Sequence, residues 1–211
     1  LGCSSVFALG TLPVHAEYDP NTNTETLTNN MVSETRGNTA IGDYKSYEHP
    51  DRDLVVNWTH DKNRGDGSAI RDAIVKVKNL TINTDFVGNQ WDDKAVISDK
   101  KTHITATGDI NITSHDDAIY TEADGTTTID GFKNLNIKAT GQAYGIVDNG
   151  KGITIKGGEG STVKVRNMSG RPAVGNAGFF GAGKQISISS DTIDIASEGD
   201  GGVAVGASMY S

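Results

Sequence analysis

The chain has 211 residues, 27 Asp and Glu against 19 Lys and Arg, a formal net charge of −8 and one cysteine. An acidic surface without a basic stripe argues against nucleic acid or an anionic membrane as partner. A single cysteine excludes a disulfide framework, so stability has to come from a core.

Residues 1–16, LGCSSVFALGTLPVHA, contain no Asp, Glu, Lys or Arg. The run is too short to span a membrane and has Val14 and Ala16 three and one residues before a cut. It reads as the C-terminal part of a secretory signal peptide. Cys3 follows Leu-Gly as in a lipoprotein, but the apolar run on to Ala16 suits a leader better. Residues 17–43 are rich in Asn, Thr, Asp and Glu and are expected to be a flexible polar segment. Residues 44–73 hold Tyr44, Tyr47 and the strand-like run around Val55, Val56 and Trp58. They are the expected N-terminal cap, because the first coil of a solenoid has an edge that must be covered.

The remainder, 74–211, is organised by a repeated unit best seen in Thr102–Tyr120. Ile104 and Ala106 alternate with polar residues, Gly108-Asp109 breaks the run, and Ile110-Asn111-Ile112 alternates again. A second break at Ser114–Asp117 leads into Ala118-Ile119-Tyr120. Period-two alternation bounded by turn residues marks short half-buried strands.

The middle triplet returns as Leu80-Thr81-Ile82, Ile110-Asn111-Ile112, Leu135-Asn136-Ile137, Val163-Lys164-Val165 and Ile193-Asp194-Ile195. Six residues ahead of it stand Ile74, Ile104 and Ile129, with Ile153-Thr154-Ile155 and Ile186-Ser187-Ile188 in the same place in the last two rows. Small-residue runs follow it at Ala95-Val96-Ile97, Ala118-Ile119-Tyr120, Ala143–Val147, Ala173-Val174-Gly175 and Val203-Ala204-Val205. Three strand positions per repeat of this length predict an all-β fold, a right-handed parallel β-helix of about five coils with an N-terminal cap. At about 4.8 Å per coil, five coils rise roughly 24 Å, and the fibre is expected to continue past Ser211. Insertions at 85–99, 157–162 and 167–172 are expected at corners, as surface loops.

Candidate chemistry is sparse. Asn83-Thr84-Asp85 and Asp116-Asp117 resemble two motifs of the polygalacturonase family, whose paired carboxylates act as acid and base. That family's Gly-His-Gly and Arg-Ile-Lys motifs do not occur, and Gly141-Gln142 stands at the matching place in the next coil. Such short matches are also what turn residues give. Asp116, Asp117, Glu122 and Asp124, with Glu198 and Asp200, are the acidic groupings a calcium ion would need, but no calcium-binding nonapeptide or EF-hand loop frames them. His15, His49, His60, His103 and His115 show no metal-ligand or triad spacing. Gly157–Gly160 lacks the Lys-Ser/Thr of a phosphate loop, and the sequons at Asn57, Asn79, Asn111 and Asn167 follow from composition. No catalytic, cofactor-binding or metal residue is assigned.

With an apparent leader, a polar cap and irregular coils over about 74–211, the chain resembles the passenger domains of bacterial autotransporter adhesins. The resemblance implies surface display outside the outer membrane, the solenoid serving as stalk and corner loops as contact sites. It also implies a surface protein or glycan as partner, with self-association possible, no membrane insertion by this segment and no catalysis. The polar triplet centres Thr81, Asn111, Asn136, Lys164 and Asp194 should form an exposed ladder, a contact face for attachment. A polysaccharide hydrolase or lyase and a passive stalk are the alternatives.

Overall fold

A computed structural model of the chain describes residues 15–29, 39–42, 44–58, 68–84, 94–122, 124–176 and 185–207. Among these residues every regular element is a strand. Chain order begins β1 (His15–Asp19), β2 (Thr24–Asn29), β3 (Thr39–Ile41), β4 (Ser46–Trp58), β5 (Ser68–Arg71) and β6 (Ile74–Thr84). From β2 onward, strands pair in parallel with strands of the preceding and following turns. The result is a parallel β-helix with three faces.

The first face stacks 46–49, 74–77, 101–106, 126–130, 153–156 and 186–189. The second stacks 24–29, 53–58, 79–84, 109–114, 134–139, 162–167 and 192–197. The third stacks 39–41, 68–71, 94–98, 119–121, 146–148, 174–176 and 205–207. The five coils expected from 74 onward are present, and strands 46–58 and 68–71 belong to a further turn before them.

Inward side chains line up in columns because parallel in-register pairing places like above like. Leu54, Leu80, Ile110, Leu135, Val163 and Ile193 form one column of the second face. Val56, Ile82, Ile112, Ile137, Val165 and Ile195 form the next. On the third face the column is Ile41, Ile70, Val96, Ile119, Ile146, Val174 and Val205. All but the last members are buried, and together they make one continuous core.

On the first face the expected alignment slips by one residue. Val75, not Ile74, pairs with Ile104 and is buried, while Ile74 pairs with His103 and is half-buried. The reason is the corner. Val75 precedes its triplet by five residues and Ile104 by six, so one residue is extra in the later coil. Thr107 and Gly108 donate to the Val77 and Lys78 carbonyls. The Asp109 amide then has no ladder carbonyl and donates to Asn79 Oδ1 at 2.7 Å. A Cβ on Gly108 would lie 2.1 Å from that Oδ1, so the corner needs glycine there.

The N-terminal divisions also differ from expectation. The cap expected at 44–73 is mostly coil: 46–58 and 68–71 carry the same columns as the later turns. The segment expected to be flexible, 17–43, supplies the covering element and strand β3. β2 lies parallel on β4, and β1 folds back antiparallel on β2, with Ala16 opposite Leu27. Composition hid this hairpin because it holds few apolar residues. Leu27 sits over Val56, and Glu25 is buried over Leu54 with Tyr47 and Arg52 as partners. Of the expected leader, 1–14 lie outside the described residues and His15 and Ala16 begin β1.

Of the expected corner loops, 157–161 and 168–173 connect strands, while 94–98 is a buried third-face strand and 85–93 lie outside the described residues.

Candidate interaction face

The outward side of the second face carries in-register columns of mostly polar side chains. Its central column is Thr81, Asn111, Asn136, Lys164 and Asp194, in register across five coils, as the triplets predict. Asn111, Lys164 and Asp194 are exposed, and Thr81 and Asn136 half-buried. Neighbours in the column touch: Asn136 Nδ2 donates to Asn111 Oδ1 at 3.0 Å. One column over, Asn83 Nδ2 donates to Asn57 Oδ1 at 2.9 Å. Each amide so engaged still has a donor or acceptor to offer outward. At the C-terminal end Arg166 hydrogen-bonds Asp194 and lies 3.4 Å from Glu198. That hydrogen bond holds the Asp194 carboxyl below the usual carboxylate range.

A third column, at the corner with the first face, was not expected from the sequence. Asn79 Nδ2 donates to Asp53 Oδ1 at 2.8 Å, and Asn134 Nδ2 to Asp109 Oδ1 at 2.7 Å. With the Asp109 amide on Asn79, this ties four turns along one edge. The available signal was the residue just before each triplet: Asn79, Asp109, Asn134, Thr162, Thr192.

The candidate carboxylates are not gathered into a groove. Asn83 is exposed on the second face, Thr84 is buried with its hydroxyl on Ser114 Oγ, and Asp85 lies outside the described residues. Asp116 Oδ1 accepts the Asp117 amide at 3.0 Å. Asp117 itself is buried and accepts the Tyr144 amide at 2.7 Å. Burial raises its carboxyl above the ordinary value, and the charges of Lys94 and Arg171 work against that rise. Lys94, also buried, lies 4.5 Å over the Tyr120 ring, and Arg171 lies 5.4 Å over that of Tyr144. Asp117 is therefore an internal charge shared among coils.

Two of the other acidic positions, Asp124 and Glu198, have cationic neighbours. Asp124 is bracketed by Lys151 at 2.9 Å and Lys100 at 3.5 Å, which pull its carboxyl below the usual range. Glu198 faces Arg166, and Asp200 lies at a turn. His103, which has no partner at triad spacing in sequence, meets Asp130 from the next coil at 2.8 Å. Thr105 Oγ1 is 3.3 Å from the same Nε2. A hydrolytic relay uses both ring nitrogens, one toward the nucleophile and one toward the acid, so this trio is not one. Of the sequons, Asn111 is exposed, whereas Asn167 is buried and donates to the Ala143, Arg171 and Pro172 carbonyls.

Comparison with protein-family models, curated proteins and solved structures returns no match for this chain.

Proposed function

We propose that the chain is a surface-displayed, adhesin-type passenger that works by attachment or aggregation and has no catalytic chemistry of its own. The observation that carries this reading is the in-register polar ladder 81/111/136/164/194 on the outward side of the second face. A rigid stack bearing repeated donors and acceptors about 4.8 Å apart suits a partner met through many weak polar contacts. The partner class that matches is a surface protein or a glycan, both rich in hydroxyls and amides. The reading places the protein outside the cell, anchored at the outer membrane, in line with the apolar run at 1–16.

The test is attachment by cells displaying the chain, with Asn111→Glu, Asn136→Glu and Lys164→Glu combined. The ladder reading expects attachment to fall at least tenfold while far-UV circular dichroism is unchanged. Unchanged attachment with a folded variant would remove the ladder as the contact face. Release of reducing sugar from an acidic polysaccharide by the purified chain would replace the adhesin reading with a hydrolytic one.

A further inference from the structure

Asn149-Gly150 is the single Asn-Gly pair in the chain. Such a pair reacts with itself wherever the backbone is free. Once deprotonated, the glycine amide nitrogen attacks the asparagine Cγ and forms a C–N bond. The bond from Cγ to the side-chain nitrogen breaks, and that nitrogen leaves as ammonia with the proton. Water then opens the cyclic imide at either carbonyl, leaving aspartate or isoaspartate. Glycine makes the attack fast because it has no side chain in the way and turns freely in φ and ψ.

The corner that follows the third-face strand 146–148 needs this glycine. A Cβ on Gly150 would lie 2.2 Å from the Glu122 carbonyl oxygen and 2.6 Å from that of Gly125. The same corner occupies each group that the reaction uses. The Gly150 amide donates to Asp148 Oδ1 at 3.0 Å. A hydrogen bond of this kind favours the protonated donor, so the nitrogen gives up its proton less readily. Asp148 is itself buried and fixed: Oδ1 also accepts the Thr121 hydroxyl, and Oδ2 accepts the Gln185 amide at 3.3 Å. Asn149 Nδ2 donates to Tyr120 Oη of the preceding coil at 2.9 Å, which ties down the carbon under attack. On either side the main chain is clamped, Asn149 to the Thr121 carbonyl at 3.1 Å and Lys151 to the Gly125 carbonyl at 2.7 Å.

We propose that Asn149 is a latent deamidation site, held unreactive in the folded chain by Asp148 and Tyr120 and released to react when this corner opens. The inference does not depend on the adhesin reading. Isoaspartate adds one atom to the main chain between the two clamped amides, so a corner that has reacted cannot restore both bonds. The modification thus marks permanently a coil that has opened.

The test is peptide mapping by mass spectrometry of the 211-residue chain after incubation in mildly alkaline buffer, reading aspartate plus isoaspartate at 149. The folded chain should react there at least tenfold more slowly than the same chain unfolded in urea. Asp148→Ala, which takes away the acceptor of the Gly150 amide, should raise the folded rate at least tenfold. Tyr120→Phe removes only the hydroxyl and keeps the ring beside Lys94, and should raise the rate at least threefold. In both variants the amides of 109–114 should keep their hydrogen-exchange protection, which confines the opening to the corner. A folded chain that reacts at Asn149 as fast as the unfolded one overturns the proposal. So does either variant that keeps the 109–114 protection and reacts no faster than wild type. Should Asp148→Ala lose that protection, Tyr120→Phe decides alone.

Discussion

Within the described residues, the first and the last coils carry the same columns and treat them differently. At the N-terminal end Leu54 is 1 % exposed under the hairpin, although it belongs to the first full turn. At the other end Ile193, in the same column, is 47 % exposed, and Val205 is 62 % exposed. Leu54 and Ile193 are alike in apolar character, face and register, so the difference between them is one of coverage. In a solenoid an apolar residue contributes through the turn above it as much as through its own. A column therefore has a strong middle, and an end is only as good as what lies over it.

The largest expected effect comes from moving one substitution along one column. Ile110→Ala, in the fully buried middle, should cost about 2–5 kcal/mol by loss of buried surface plus a cavity that its neighbours cannot fill. Ile193→Ala makes the same chemical change where nearly half the side chain already meets solvent. Its cost should stay below about 1 kcal/mol, scaled by the apolar area still removed from water. Urea unfolding of the two variants measures the ratio. Equal losses would mean that the last coil is covered in solution.

The second effect sharpens what the covering element is made of. Glu25→Ala leaves the Tyr47 hydroxyl and Arg52 without their shared acceptor and should cost about 1–3 kcal/mol, confined to the hairpin and first turn. Glu25→Leu instead extends the aliphatic column by one member, and half-buried Arg52 can turn to water. It should therefore lose less than Glu25→Ala. Burial first, and then the hydrogen bond and charge of Glu25, raise the Tyr47 hydroxyl's pKa, and the Glu25 share supplies a readout. In both variants its ultraviolet ionisation should move back toward the ordinary tyrosine range. An unmoved titration would separate Tyr47 from Glu25.

How much of this was legible depended on whether a residue's partner has the same phase in the next repeat. The triplets and the third-face runs were readable because parallel pairing in register sets like residue on like, so local alternation and repeat spacing give the same answer. The polar ladder followed from those triplets. The Ile74 alignment failed because equal spacing to the triplet was assumed, whereas the first corner is one residue shorter and Val75 takes the inward place. The hairpin was missed for a different reason. Its buried side is Glu25 and Leu27, and a carboxylate reads as solvent-facing until Tyr47 and Arg52 are seen beside it. Asp117 was weighed as a catalytic acid when its partners, Lys94 and Arg171, lie more than 20 residues before it and more than 50 after it.

Asp117 gives a third contrast, between a charge inside the stack and charges on its surface. Burial is the main cause of its raised pKa, so the folded chain binds this proton at a higher pH than the unfolded chain. Its protonation therefore adds stability that is fully present below the ordinary Asp value and is lost as pH rises through the folded value. Surface carboxylates such as Asp124, with lowered values, run the other way: their contribution is present above the ordinary value and fades as pH falls through the folded one. Asp117→Asn keeps an acceptor for the Tyr144 amide and removes the titration together with the carboxylate charge that Lys94 and Arg171 feel. Wild type should gain stability relative to Asp117→Asn as pH is lowered from neutral, whatever the common background of the other carboxylates. A wild type that loses ground to the variant on acidification would show that Lys94 and Arg171 outweigh burial.

The smallest effect belongs to the outward ladder, where the comparison of ends should vanish. Asn111 in the middle of the stack and Asp194 in the last described coil are both exposed, and each makes its side-chain contact with an adjacent coil: Asn111 with Asn136 in its own column, Asp194 with Arg166 in the next column. Neither side chain rests on the apolar columns, so coverage by a further turn is irrelevant to either. Asn111→Ala should change unfolding free energy by less than about 0.5 kcal/mol, the usual range for surface positions, and Asp194→Ala should leave the urea midpoint just as little moved. Position along the stack, decisive for Ile110 and Ile193, should make no difference here. If Asn111→Ala instead cost as much as a buried hydrogen bond, the ladder would be holding coils together, and its freedom to serve as a contact face would be correspondingly reduced. Stability and attachment measured on the same Asn111→Ala protein distinguish the two roles, because a contact residue lowers attachment while leaving the urea midpoint in place.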